Sequence, residues 1–426
     1  MVGNFRLTRL APGVLILGVL LFFSPLSLDA QSSRRGDTLT LKVALRGPGD
    51  ELYYWFGHIG LVVEDRITGQ SRFFDWGVFS FDNDNFFLNF AFGRLLYSCM
   101  VSRAESNFTN YIETNRDITL YTLDLAPEKK EEVLRFAENN MLPENRDYYY
   151  HQFRDNCATR IRDILDMAVD GQLREEFENT PGRYTYRQHV RRHTWFNPFI
   201  DWILNFWMGQ NIDQPITVWD EMFLPSEIVR CIKDFHYTDP DGKDRALVSS
   251  VDVLYRAKGR PAVLDVPRLQ WPRELLASVL FSGVLLAFYF WRKKYKACGI
   301  FTGLVQSLLG LFFGTAGSLL FFLTFFTNHD YAYHNSNIFF VNPLYYALIP
   351  LGLIFAFTRD QKKRFITGRI LRVFWTCVVL GVLLTMVIKL SPAFYQQNQV
   401  DQALVLPIAL TMIFIMSQLS KMKKEK

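Results

Sequence analysis

Tyr148-Tyr149-Tyr150-His151-Gln152-Phe153-Arg154-Asp155-Asn156-Cys157-Ala158-Thr159-Arg160 is the stretch that decides how the first half of this 426-residue chain is read. An aromatic run ends, and an amphipathic helix begins. Ala158, Ile161, Ile164, Leu165 and Ala168 recur at helical spacing, with Arg160, Arg162, Asp163 and Asp166 between them. Asp155 or Asn156 is positioned to cap the first turn. Cys157 then lies in that turn, where unpaired N–H groups and the helix dipole favour an anion, the setting of a nucleophilic thiolate. The alternative is a structural cysteine, because free Cys is among the most buried residue types.

Working outward, the chain divides into a mixed polar region ending near Pro272 and a very apolar region beyond it. Its net charge of +5 is concentrated in basic clusters beside apolar runs, which points to membrane orientation and away from nucleic-acid binding. The five cysteines include no CxxC pair, so neither a zinc ribbon nor a thioredoxin motif is supported, and no metal or cofactor is expected. A disulfide between Cys99 and Cys231 in an oxidising compartment is one option, which would leave Cys157 free; the sequence leaves that pairing open.

Upstream, residues 1–30 have the pattern of a secretory signal or anchor: Arg6 and Arg9, an apolar run from Leu10 to Leu28, then Leu28-Asp29-Ala30 as a weak cleavage site. Residues 31–272 would follow as an exported domain. Thr38–Leu45 alternates as a strand, Trp55–Asp65 is a second and Ser71–Phe81 a third. A turn centred near Ile67 sets His58 opposite Trp76, with Asp75 and Gly77 as neighbours. A one-residue slip exchanges faces, so this register leaves open whether Asp75 or Trp76 shares a face with His58.

Between these strands and Cys157, Phe86–Tyr97 reads as helix or strand, Thr119–Leu125 as strand and Ala126 to about Met141 as helix. Beyond it, His189 and His193 stand four apart, but the glutamate of a zinc protease is missing and three arginines crowd them. Trp195, Phe196, Phe199, Trp202, Phe206 and Trp207 form an aromatic stripe, read as core or as membrane-interface contact. Residues 273–426 hold five runs long enough to span a bilayer: Leu275–Trp291, Gly299–Phe326, Ile338–Thr358, Ile370–Leu390 and Leu404–Leu419. Loops rich in Lys and Arg alternate with loops lacking them, so the basic loops face the cytoplasm and the N-terminal domain lies outside. The outer loop Asn328–Asn337 is dense in polar groups, His329 and His334 among them, and leads into Asn342-Pro343. It is a candidate head-group site or lid.

Cys157 at a helix start, His58 on a strand and Asp75 nearby meet the needs of thiol catalysis: a nucleophile, a base and a group that orients the base. Phe56-Gly57-His58-Ile59-Gly60-Leu61-Val62-Val63, Asp75-Trp76-Gly77-Val78-Phe79 and Asp155-Asn156-Cys157-Ala158-Thr159-Arg160-Ile161-Arg162-Asp163 resemble the N-terminal periplasmic domain of bacterial Lnb-type lipoprotein N-acyltransferases. The order is also similar to permuted papain-like folds, lecithin:retinol acyltransferase and NlpC-type peptidases included. The resemblance implies an α+β permuted papain-like domain followed by a bundle of five transmembrane helices in a bacterial inner membrane. It implies Cys157 as nucleophile, His58 as base, Asp75 as third member, and Asn156, Arg160, His329, His334 and Asn342 as substrate-binding residues. Its substrates would be a phospholipid acyl donor and a diacylglyceryl apolipoprotein. The family strand usually carries Asn-Tyr-Gly where this chain has Asp75-Trp76-Gly77, which leaves the third member open. A peptidoglycan amidase using the same Cys157 and His58, and a non-catalytic membrane receptor, are the competing readings.

Overall fold

The computed structural model describes residues 35–79, 85–292 and 296–421. The expected signal at 1–30, and the basic residues at 293–295 and 422–426, lie outside the described residues.

Nine strands are described: β1 Leu39–Arg46, β2 His58–Asp65, β3 Gln70–Val78, β4 Leu96–Arg103, β5 Ile118–Leu123, β6 Asp147–Tyr149, β7 His236–Thr238, β8 Asp244–Ala246 and β9 Val248–Tyr255. β7 and β8 form a separate hairpin that turns through Asp239–Lys243 and leads into β9 of the sheet. The other seven form one antiparallel sheet in the order β6-β4-β3-β2-β1-β5-β9. The helices of this half are α1 Arg35–Thr38, α2 Phe86–Ala91, α3 Ala104–Glu113, α4 Pro127–Asn139, α5 Cys157–Ala168, α6 Gln172–Phe177, α7 Tyr186–Thr194, α8 Pro198–Trp207, α9 Val218–Glu221 and α10 Pro225–Ile232.

Alternation along β1 and β2 decides the layers. Leu39, Leu41, Val43, Ile59, Leu61 and Val63 point to one face, where α4 and α5 cover them. Ala44, Val62 and Phe73 point to the other, beneath Phe108 and Tyr111 of α3. α5 buries Ala158, Ile161, Ile164, Leu165 and Ala168, the five apolar positions its periodicity marks. Each fully buried Ile or Leu contributes on the order of 1.5–3 kcal/mol.

The β2–β3 register is one residue from the sequence expectation. Leu61 pairs with Phe74 and Val62 with Phe73, so the same register carried to the strand end sets His58 against Gly77, not Trp76. Arg46 pairs with His58 across β1–β2. Arg46, His58 and Asp75 therefore share one face, while Trp76 is fully buried among the α5-facing residues.

The apolar half has α11 Trp271–Trp291, α12 Lys296–Phe326, α13 Leu348–Phe357, α14 Gln361–Ile388 and α15 Gln399–Lys421. Five segments among the described residues are long and apolar enough to cross a membrane. The third is not one regular helix, as its apolar run suggested. Ser336–Phe339 and Pro343–Ala347 are 3-10 turns, and α-helix starts only at Leu348. Pro343 lacks an N–H and holds the preceding Asn342 extended (φ −151°), which interrupts the helix there. Conversely, α14 begins at Gln361, so most of the basic loop before the fourth run is helical.

α12 meets this broken segment through glycines. A Cβ at Gly317 would come within 2.6 Å of Asn342 Cα, and one at Gly303 within 2.6 Å of Gly352 O. The aromatic stripe divides: Trp195 and Phe196 stay with the first half, Phe196 against Trp55 at 4.5 Å, while Trp202, Phe206 and Trp207 pack on the bundle, with Trp202 stacking on Phe312 at 5.7 Å and donating through Nε1 to Asp401 of α15.

Candidate active site

β1, β2 and β3 bring Arg46, Asp75 and His58 into a line. Arg46, fully buried, donates through Nη1 to Asn107 Oδ1 (2.7 Å) and through Nη2 to Asp75 Oδ2 (3.0 Å). Its guanidinium lies between the rings of Phe73 and Tyr111, 4.3 and 4.2 Å from their centroids. Asp75 Oδ1 is 2.5 Å from His58 Nε2. One carboxylate is thus held on both oxygens, and it fixes the imidazole through one nitrogen.

Cys157 opens α5 beside this line. A Cβ at Gly77 would sit 3.4 Å from His58 Cε1 and 3.5 Å from Cys157 Cβ, so the bare Gly77 backbone lies against both residues. Gly77 has φ +114°, a region that side chains rarely adopt. Burial alone would push the His58 imidazole down. The Asp75 carboxylate, aided by Cys157 as thiolate, outweighs that and raises it to about 10. Burial would raise Asp75, but imidazolium and guanidinium together hold it well below the usual carboxylate range. The Asp75 carboxylate thus favours the charged form of the His58 imidazole.

The turn before Cys157 is built tightly. Asn156 accepts from Ala158 N and Thr159 N, while Thr159 Oγ1 accepts from Asn156 N, a reciprocal capping box. Asn156 Nδ2 donates to Gln152 O and Phe223 O. Both ends of that amide are occupied by the fold, and the side chain acts as the cap of α5. Two first-turn amides are likewise taken, and the amide of Cys157 itself is the one Asn156 does not engage.

Arg160 is paired with Asp155 through two donors and lies over the Tyr148 ring. His329 is buried, with Nε2 bonded to Phe90 O and Nδ1 to Tyr331 Oη. Asn342 accepts from Leu344 N and donates to Ile338 O. His334 is exposed, at φ +54°. Arg160 stands one helical turn from Cys157, while His329 and Asn342 have their polar side-chain atoms engaged within the fold. The loop holding His329 straps domain and bundle together. Asn328 N donates to Phe92 O, and Asp330 accepts from Arg154 Nη1 and His151 Nε2. His151 Nδ1 accepts from Phe153 N and Arg154 N, so its Nε2 carries the proton given to Asp330.

Sequence reasoning missed Arg46 and the His151–Asp330 link. Arg46 shares its strand face with Thr40, Lys42 and Ala44, an ordinary polar alternation that does not mark this arginine as buried. The second joins residues 179 positions apart and leaves no local pattern. All five cysteines are free thiols, so the Cys99–Cys231 pairing left open by the sequence is not made: Cys99 Sγ lies against Met141 Sδ, while Cys231 is buried on α10. His189 pairs with the buried Glu221 and accepts from Arg192, so it belongs to an ion network.

Two family models match the chain. The Lnb N-terminal periplasmic domain matches residues 29–192, and the Lnb transmembrane domain matches residues 269–426. Neither the curated proteins nor the solved structures yielded a match. With an antiparallel α+β domain in the first region and five candidate membrane-spanning segments in the second, the chain belongs to the Lnb family and is a multi-pass membrane protein like the lipoprotein N-acyltransferases.

Proposed function

We propose that the protein transfers an acyl chain from a phospholipid to the α-amine of a diacylglyceryl-cysteine lipoprotein, through a thioester on Cys157, at the outer face of a bacterial inner membrane. The observation that carries this reading is the Arg46–Asp75–His58 line ending beside the residue that opens α5. His58 gives Nε2 to Asp75, which leaves Nδ1 for proton exchange with the reacting groups.

The Cys157 thiolate attacks the ester carbonyl carbon, and the oxyanion draws on the Cys157 amide at the helix start. As the C–O bond breaks, the His58 imidazolium protonates the departing lysophospholipid oxygen. Neutral His58 then takes a proton from the acceptor amine as its nitrogen attacks the thioester. The amide forms, the C–S bond breaks, and thiolate and imidazolium are restored. Pinning the domain to a membrane bundle holds the thiol among lipid substrates, an advantage that a muropeptide hydrolase would not need.

Intact-mass analysis of the full chain in phospholipid vesicles tests the step. An acyl adduct on Cys157 that disappears on adding a diacylglyceryl lipopeptide is expected. Lipopeptide N-acylation that persists in Cys157→Ala would sink the reading, and muropeptide cleavage in its place would favour the amidase.

A further inference from the structure

Beyond Gly77, β3 runs into an aromatic row that the chemistry above does not use. Phe79, two residues on, stands 5.0 Å from Tyr97, and Tyr97 stacks on Tyr150 at 4.2 Å. In the other direction Phe79 stacks on Phe86 of α2 at 5.8 Å, and Phe86 lies 6.2 Å from Phe90. Phe79, Phe86, Tyr97 and Tyr150 are all half-buried, so the row lines a surface path and not a sealed core. One end of the row starts beside Cys157, because Phe79 follows Gly77 by two residues and a Cβ at Gly77 would sit 3.5 Å from Cys157 Cβ.

The other end lies at the bundle. α2 exposes Phe87, Leu88 and Phe90 at 73%, 56% and 50%. Its C-terminal end is fastened to the outer end of α12: Phe92 packs on Phe322 at 5.5 Å, Asn328 N donates to Phe92 O, and His329 bonds Phe90 O. Phe325 and Phe326 of α12 are themselves exposed, at 60% and 59%. The apolar surface of α2 therefore continues the membrane-facing surface of the bundle, which identifies the occupant as bilayer lipid.

Resting on the acyltransfer reading, we infer that α2 dips into the leaflet facing the domain, and that one phospholipid acyl chain runs along Phe90, Phe86, Phe79, Tyr97 and Tyr150 to present its ester to Cys157. Flat aromatic walls suit a polymethylene chain, because they bury area without demanding hydrogen bonds.

The test uses the full chain in phosphatidylethanolamine vesicles containing phosphatidylethanolamine with a diazirine in one acyl chain. After illumination, peptide mass spectrometry should find adducts on Phe79, Phe86, Tyr97 or Tyr150, with an acyl group on Cys157. Acylated Cys157 with adducts confined to α11–α15 would overturn the path and leave the acyltransfer standing. Adducts in the row without acylation would support the lipid path and remove the thioester. Neither signal would overturn both. Phe87→Glu, at a position open enough to fold with a charge, should lower Cys157 acylation from vesicles about tenfold, and an unchanged rate would overturn the entry of α2 into lipid.

Discussion

Asp75 carries two jobs at one carboxylate: it keeps His58 charged, and it shields Arg46. Removing it exposes the order of the forces. In Asp75→Asn, burial dominates, and the His58 midpoint should fall from about 10 to below the ordinary 6.5, read by NMR of ring-labelled histidine. Acyl transfer should fall by about 10²–10⁴. The stability sign follows from the same shift. A raised imidazole contributes stability fully present below pH 6.5 and lost as pH climbs through about 10. Thermal unfolding of the wild type in detergent should therefore shift down across that window, and the shift should vanish in His58→Gln. Gly77→Ala places a methyl against His58 and Cys157 on a backbone at φ +114°. A strain cost of about 1–3 kcal/mol is expected, with near loss of acylation and an intact fold by circular dichroism.

At the scale of elements, the helix that carries Cys157 depends on its cap. Asn156→Ala removes the two accepted amide bonds and leaves Gln152 O and Phe223 O without that donor. The cap alone is worth about 0.5–2 kcal/mol, so a clear drop in melting temperature is expected, with a larger drop in activity as the first turn loosens. In the bundle, Gly317→Val drives a side chain into the Asn342 backbone and should cost about 1–3 kcal/mol by detergent-phase thermal unfolding. Much of this scale could be read in the chain. The alternation of β1 and the 3.6-residue period of α5 are local, so strands, helix and buried face followed from spacing. The β2–β3 register did not, because a shift of one residue moves the hairpin centre by only half a position. That half position decided whether Asp75 or Trp76 met His58. Arg46 was missed for a related reason: its partners come from β3 and α3, and pairing across elements leaves no periodic mark.

At the scale of the whole molecule, the strap from Asn328 to Asn337 makes domain and bundle one mechanical unit. Asp330 holds His151, which holds the turn leading into Cys157. Tyr331 joins Phe153, Val190 and Phe223 in one apolar cluster that also takes in Phe56, two residues before His58. Asp330→Ala should raise amide hydrogen exchange across residues 151–155 and slow acylation from vesicles about tenfold. Unchanged exchange would show that the turn stands without the strap. The second outer loop reinforces the joint, since Gln397 accepts from Arg191 and its amide donates to the buried Asp213, which also pairs with Arg187.

This joint bears on how the protein comes into being. Ribosomes release the thiol-bearing domain long before Asp330 and Gln397, and at about 5–20 residues per second the interval from Cys157 to Asp330 is roughly 9–35 s. During that interval the turn beside Cys157 lacks its brace, and the apolar cluster lacks Tyr331. The newborn domain waits in a half-assembled form until the later spans insert, so maturation of the thiol is timed by membrane integration.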